Sequence, residues 1–158
     1  MQLPLHLVEP LGFSLEDRYL KRAGLDYWPK VNLHVHPDIG AAFEALAEGS
    51  ERPLAERLKL FSARGGGSLF ETDFAKDDVL LFGSETAGLP SELLETHADR
   101  RVYIPVDPGV RSLNLANVVC LGAYTAMDRS GSPLPVNDGA HIPTPDGASI
   151  KPADRIQG

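Results

Sequence analysis

This 158-residue chain has a single cysteine, no long apolar run and no excess of basic residues, and each of these features argues against a class of protein. Cys120 is its single cysteine, so an intrachain disulfide is impossible and a reducing cytoplasm is indicated. The longest strongly apolar run, residues 79–82, is far shorter than the roughly 20 residues of a membrane span. The N-terminus lacks a basic segment followed by an apolar core, so we expect no signal peptide. These absences favour a cytoplasmic globular protein without a membrane partner.

The formal net charge of −7 argues against a nucleic-acid partner, because proteins that bind the phosphates of nucleic acids usually carry an excess of basic residues. Basic residues nevertheless cluster in two places. One cluster comprises Arg18, Lys21 and Arg22, and the other comprises Arg52, Arg57, Lys59 and Arg64. Either cluster could form a local RNA-binding patch, and the alternative interpretation is a solvated helix face.

Short apolar runs alternate with helical patterns along the chain. We predict strands at residues 3–8, 31–35, 58–62, 79–82 and 102–106, with helices beginning near Ser14, Asp38, Pro90 and Ser112. This repetition predicts an α/β fold with a mainly parallel sheet and flanking helices. Because residues 79–82 are continuously apolar, we expect them to form a central strand covered on both faces.

The last part of the chain differs in composition from the rest. Residues 130–158 are rich in proline, glycine and small polar residues. We therefore expect a folded domain over residues 1–129 and an extended or disordered tail over residues 130–158.

Three loops rich in small residues follow predicted strands, at residues 62–67, 83–90 and 105–113. Ligands of parallel sheets bind at the carboxyl ends of the strands, where such loops meet. Glycine in these loops would let a ligand lie against the backbone itself. The spacing is compatible with a nucleotide-like ligand and equally with ordinary tight turns.

Specific motifs occupy two of these loops. Residues 82–90 read F-G-S-E-T-A-G-L-P, residues 104–105 read I-P, and residues 111–117 read R-S-L-N-L-A-N. Together they resemble motifs 2 and 3 of the SpoU-type SPOUT methyltransferases. Upstream, E-P-L-G-F at residues 9–13 and L-K-R-A-G-L-D-Y at residues 20–27 resemble the subfamily that methylates the ribose of cytidine or uridine 34 in tRNA.

The resemblance, which covers about residues 5–129, implies a fold, a reaction and partners. It implies an α/β domain with a C-terminal trefoil knot, a homodimer, and a tRNA anticodon stem-loop as substrate. It also implies S-adenosylmethionine as methyl donor, S-adenosylhomocysteine as product, and no metal. The ribose 2′-hydroxyl of the wobble nucleotide would attack the sulfonium methyl group, so the protein's main task is to align the reactants.

The resemblance also assigns roles to individual residues. It places Ala63, Gly83, Ile104 and Ser112 at the cofactor, Glu85 and Asn114 in catalysis, and Arg111 and Tyr124 at the substrate. Two structural alternatives stand beside these roles. Glu85 could cap the turn that follows it, and Tyr124 could belong to the core.

One family motif does not appear in the sequence. The family's N-x-G-N-x-x-R stretch has no match in this sequence. Its arginine is commonly assigned the role of taking up or polarising the proton of the ribose hydroxyl. By the resemblance, Met1 falls where the family's second strand begins. We therefore expect this 158-residue form to methylate tRNA poorly. Two other functions stay open: a related enzyme for another tRNA or rRNA ribose, and a catalytically impaired knotted module that binds cofactor or RNA.

Three further side chains could carry chemistry but have simpler interpretations. His34 and His36 could share one face of a strand, yet without a matching ligand pattern a surface pair is favoured over a metal site. Cys120 lies within a helical apolar pattern, which favours a core thiol.

Overall fold

The computed structural model describes residues 3–15, 28–63, 65–107, 109 and 113–134. Within these ranges the chain forms two parallel sheets and four α-helices. The parallel α/β organisation predicted from the sequence is therefore confirmed. None of the helices in the described part of the chain is long and apolar enough to cross a membrane.

The first sheet has two parallel strands, β1 (Leu5–Val8) and β2 (Leu33–His36), paired in register from Leu5–Leu33 to Val8–His36. Helix α1 (Ile39–Ala47) follows β2. It begins where Asp38 accepts a hydrogen bond from Ala41 N at 2.8 Å, which satisfies one otherwise unpaired amide of the first turn. The strands and the helix predicted in this region are confirmed, with boundaries shifted by one or two residues.

The second sheet contains the other four strands in the order β4–β6–β3–β5. Its strands are β3 (Leu58–Phe61), β4 (Gly67–Ser68), β5 (Val79–Phe82) and β6 (Arg101–Tyr103). All its pairings are parallel, so the carboxyl ends of the strands share one edge. Strand β6 returns between β3 and β4, and this places the loops that follow β3, β5 and β6 next to one another.

Three helices accompany this sheet: α2 (Leu54–Arg57), α3 (Ser91–Thr96) and α4 (Leu115–Arg129). Helix α4 packs on β5 and covers a core of Phe61, Leu69, Phe74 and Val102. Fully burying an aliphatic or aromatic side chain contributes about 1.5–3 kcal/mol, so this cluster is a main source of stability for the second sheet.

Two predictions about burial are wrong. Strand β5 lies at the edge of its sheet among the described residues, and all four of its residues are half-buried rather than covered on both faces. Cys120 is exposed on α4 rather than packed in the core. Both errors have one cause: apolar character along a segment does not reveal which elements pack beside it.

Some predicted features lie outside the described residues. They are the predicted helix over residues 16–24 and the part of the tail after residue 134. The start of the last helix also differs from the prediction, because α4 begins at Leu115 rather than at Ser112. The two-residue strand β4 and the short helix α2 were not predicted.

Candidate functional site

A cavity of about 820 Å³ opens at the carboxyl ends of β3, β5 and β6. Its volume falls within the roughly 300–1,000 Å³ that is usual for small-molecule and cofactor sites. The polar side chains around it belong to Ser62, Ser84, Glu85, Thr86, Ser91 and Asn114. Its apolar lining includes Phe61, Phe82, Leu89, Leu94, Leu115 and Val118. We call this space the strand-end cavity.

Three of the four residues expected at the cofactor line this cavity. Ala63 follows β3, Gly83 follows β5, and Ile104 follows β6. They come together because parallel strands end at the same edge of the sheet. Ser112, the fourth, lies outside the described residues, as does Arg111, which was expected at the substrate.

The loop after β5 is closed by its own backbone. Ser84 N donates to Gly88 O at 3.2 Å, and Gly88 N donates to Ser84 O at 2.9 Å. Gly88 has φ +70°, a left-handed conformation that favours glycine. A Cβ on Gly83 would overlap the Gly88 carbonyl group and Leu89 N. Both glycines are therefore required for this compact loop, which holds Glu85 at the cavity.

Glu85 is the only carboxylic acid, and the only ionisable side chain, among the described residues that line the cavity. Its side chain is exposed and forms no hydrogen bond or ion pair to a described residue. The side-chain hydrogen bond in this turn is made by Ser84 instead, whose Oγ accepts from Ala87 N at 3.1 Å. The Glu85 carboxylate is therefore available to a ligand rather than used as a cap.

Asn114, which also lines the cavity, has a structural role. Its Oδ1 accepts from Ala116 N at 3.0 Å and from Asn117 N at 3.4 Å, so it is the N-cap of α4. These bonds fix the orientation of the side-chain amide. The amide nitrogen donates to no described residue, and it remains able to donate to a ligand.

Tyr124 is not among the described residues that line the cavity. It lies on α4 and is 44% exposed, so the alternative that it belongs to the core is wrong. Its expected contact with substrate stays a prediction.

Sequence reasoning missed the aromatic floor of the cavity. Phe61 and Phe82 are the last residues of two paired strands and directly opposite each other in register. Their ring centroids are 4.5 Å apart at an interplanar angle of 30°. The sequence shows an aromatic residue at the end of each of these two strands. It does not show that the two strands pair, and this pairing is what brings the rings together.

The basic cluster at residues 52–64 is largely neutralised by two aspartates. Arg52 Nη1 lies 2.5 Å from Asp77 and 3.3 Å from Asp78, and Lys59 Nζ lies 3.5 Å from Asp78. Arg57 is buried and donates to the carbonyls of Asp77 and Leu46, each at 2.8 Å. These three cations support the structure, so neither an RNA-binding patch nor a solvated helix face describes them.

The two strand histidines have a partner that sequence reasoning did not identify. His6 on β1 stacks on His34 and His36, with ring centroids 4.5 and 5.1 Å away. Within the described ranges, no group of three or more His, Cys, Asp or Glu side chains is arranged to hold a metal ion.

A second, more open hollow of about 600 Å³ lies after β1. It is lined by Glu9, Pro10, Leu11, Phe13, Leu15 and Pro37. Five of these six residues are apolar, and Glu9 supplies the one carboxylate among them.

Comparison with known proteins identifies relatives over most of the chain. The family described as "SpoU rRNA Methylase family" matches residues 2–124. A tRNA (cytidine(34)-2′-O)-methyltransferase of Burkholderia ambifaria is 42% identical over 128 residues, which are 80% of this chain and 79% of that protein. A putative enzyme of the same name from Lactococcus lactis is 41% identical over 124 residues, 78% of this chain and 72% of that protein.

A solved structure has a similar fold. It is described as "Structural insights into the 2-OH methylation of C/U34 on tRNA" and is 48% identical in sequence. The TM-score is 0.69, and the match covers 80% of this chain and 78% of that one.

Proposed function

Since this chain belongs to the SpoU rRNA methylase family, we propose that it transfers a methyl group from S-adenosylmethionine to the ribose 2′-hydroxyl of cytidine or uridine 34 in tRNA. One observation carries this proposal. Three strand-end segments line a single cavity that also presents a carboxylate, from Glu85, and an amide, from Asn114.

The cavity fits the methyl donor in size and in chemistry. Its apolar floor of Phe61 and Phe82 suits a flat adenine ring. Backbone N–H and C=O groups at Ala63, Gly83 and Ile104 can form hydrogen bonds to the edge of the base without long side chains. When bound, S-adenosylmethionine would supply an activated methyl group on a sulfonium, which is a good leaving group.

Two polar groups are placed to act on the ribose. The Glu85 carboxylate would accept the proton of the 2′-hydroxyl or hold that hydroxyl in line for attack. The Asn114 amide, oriented by its bonds to the first turn of α4, would donate a hydrogen bond that positions the ribose or the cofactor. The surrounding apolar side chains would exclude water from the reaction.

The named relatives support the choice of substrate. Two proteins about 40% identical to this chain are named for cytidine 34 of tRNA, and a solved structure 48% identical to it concerns C/U34. Since the basic side chains at Arg52, Arg57 and Lys59 are engaged with aspartates, we assign the tRNA contact to other parts of the surface.

The strand order and the surface of α4 support the rest of the proposed assembly. Strand β6 lies between β3 and β4, β5 lies at the edge of the sheet among the described residues, and α4 packs on β5. We propose that the last part of this chain path forms the C-terminal trefoil knot. Cys120 is exposed on α4, and we propose that the exposed surface of this helix around it forms a homodimer contact in the cytoplasm.

The deciding experiment is mass spectrometry of tRNA from a strain that lacks the gene. We expect one ribose methyl group, at nucleotide 34, to disappear and to return when the gene is restored on a plasmid, with only partial return from the 158-residue form, which lacks the N-x-G-N-x-x-R stretch. A methyl group retained at nucleotide 34, with one lost from another tRNA or rRNA position, would support a related enzyme instead. No lost methyl group, together with cofactor binding, would support a catalytically silent module.

A further inference from the structure

The floor of the strand-end cavity is in direct contact with α4. Phe61 is only 7% exposed and packs in the core with Leu69 and Val102, while its ring also contacts the tilted ring of Phe82. The Phe61 side chain thus forms part of the core and part of the cavity lining. It has little freedom to move except toward the cavity, because dense packing surrounds its other sides.

Gly122 of α4 lies directly on this pair of rings. A Cβ at this position would be 2.8 Å from Phe61 Cζ, 2.9 Å from Phe61 Cε1 and 3.4 Å from Phe82 Cζ. Carbon atoms in contact normally stay about 3.5–4.0 Å apart. The helix therefore approaches the two rings as closely as it does only because position 122 has no side chain.

The same face of α4 also lines the cavity. Leu115 and Val118 line it, and positions 115, 118 and 122 follow the three- and four-residue spacing of one helix face. Asn114, the N-cap, lies eight residues before Gly122, which is about 12 Å along the helix axis. A shift of α4 at Gly122 would thus be transmitted to Asn114 at the cavity.

We propose that Phe61 and Gly122 are a size-matched pair that sets the distance between α4 and the strand ends, and that Gly122 is a positioning residue for the cofactor site. This inference rests on the proposed function, since it takes S-adenosylmethionine as the occupant of the cavity. A larger residue at position 122 either lifts α4 and moves Asn114, or pushes the Phe61 ring into the space that the cofactor needs.

The test uses titration calorimetry with S-adenosylhomocysteine on the full chain. The variants are Gly122→Ala, Gly122→Val, Phe61→Leu and the double variant F61L/G122V. Because overpacking by one or two methyl groups is costly, we expect Gly122→Val to weaken binding about tenfold or more, and Gly122→Ala to weaken it less. Phe61 also lines the cavity, so Phe61→Leu alone sets the reference affinity. The smaller leucine ought to make room for valine, so F61L/G122V should bind within about threefold of Phe61→Leu.

Ala123→Val is the matched control. Ala123 is buried on the same helix but is not among the described residues that line the cavity. We expect this variant to lower the Tm by an amount similar to Gly122→Val while leaving the affinity for S-adenosylhomocysteine unchanged. If Gly122 had only a structural role, Gly122→Val and Ala123→Val would both lower the Tm, and the two variants would bind S-adenosylhomocysteine with the same affinity.

The possible failures can be distinguished. If Gly122→Ala and Gly122→Val bind as tightly as wild type, or if Gly122→Val weakens binding as much in the Phe61→Leu background as in the wild-type background, the size-matched pair is wrong while the proposed function stands. If the wild-type chain does not bind S-adenosylhomocysteine, the proposed function is wrong, and this inference is wrong with it.

Discussion

The Nδ1 atom of His6 lies 2.9 Å from Nε2 of His36, so one imidazole donates a hydrogen bond to the other across β1 and β2. His34 also stacks on His6, at a ring-centroid distance of 4.5 Å. Burial lowers the pKa of His6 below its ordinary value of 6.5, and positive charge on His34 or His36 lowers it further. The native state therefore favours an uncharged His6.

This arrangement makes stability depend on pH. Between the lowered pKa of His6 and its ordinary value of 6.5, the unfolded chain binds more protons than the folded one. The free energy of unfolding therefore rises with pH across this window, and it falls as the pH drops below 6.5. Urea unfolding at a series of pH values from about 8 to about 5 measures the effect as a shift of the midpoint.

Substitution His6→Gln removes the titrating group but keeps a side chain that can donate and accept. We expect it to flatten the pH dependence between neutral and mildly acidic solution. His97→Gln, outside the stack, is the matched control and should keep the wild-type dependence. An unchanged slope in His6→Gln would show that the stacked histidines do not govern acid stability.

Two substitutions at Asn114 separate its capping role from its proposed role at the ligand. Asn114→Ala removes the acceptor for Ala116 N and Asn117 N and should cost about 1 kcal/mol of unfolding free energy. Asn114→Asp keeps an N-cap acceptor but has no amide donor. We expect Asn114→Asp to retain wild-type stability and to lose methylation of nucleotide 34 in a complemented deletion strain. Normal methylation by Asn114→Asp would leave Asn114 only its capping role.

Glu85→Gln should change activity without changing stability. The Glu85 side chain is exposed and makes no hydrogen bond to a described residue, so we expect the Tm to stay at its wild-type value. Loss of a general base typically lowers rates by about 10²–10⁴-fold, and tRNA from the complemented deletion strain should then lack the methyl group. Glu92 is also exposed, on α3 and not among the cavity-lining residues, so Glu92→Gln should complement as well as the wild-type chain. Equal complementation by the two variants would exclude Glu85 from the reaction.

Gly83→Ala should disrupt the loop that carries Glu85. The added Cβ would overlap the backbone of Gly88 and Leu89, and backbone cannot move aside as a flexible side chain can. We expect a loss of about 1–3 kcal/mol of stability and a large fall in affinity for S-adenosylhomocysteine by calorimetry. At Gly12, where a Cβ would meet nothing within 4 Å, substitution by alanine should change neither quantity. Wild-type affinity in Gly83→Ala would show that this loop does not shape the site.

Local signals in the sequence were enough for five of the six strands and for part of the site. Alternating apolar runs and glycine-rich loops located the strand ends, and Ala63, Gly83 and Ile104 meet there because parallel strands share an edge. Features that depend on distant pairs were not predictable. Asp77 and Asp78 neutralise cations about 20 to 25 residues earlier, and the contact between Phe61 and Gly122 joins positions that only the packing of α4 brings together.

The central claim is that the three strand ends form the binding site for S-adenosylmethionine. Hydrogen–deuterium exchange with and without saturating S-adenosylhomocysteine tests it most directly, because backbone amides at the site would report the ligand themselves. We expect protection at residues 61–63, 83–89, 102–106 and 113–118, and none at residues 9–15 around the second hollow. Protection confined to residues 9–15, or no protection after any of β3, β5 and β6, would contradict the account.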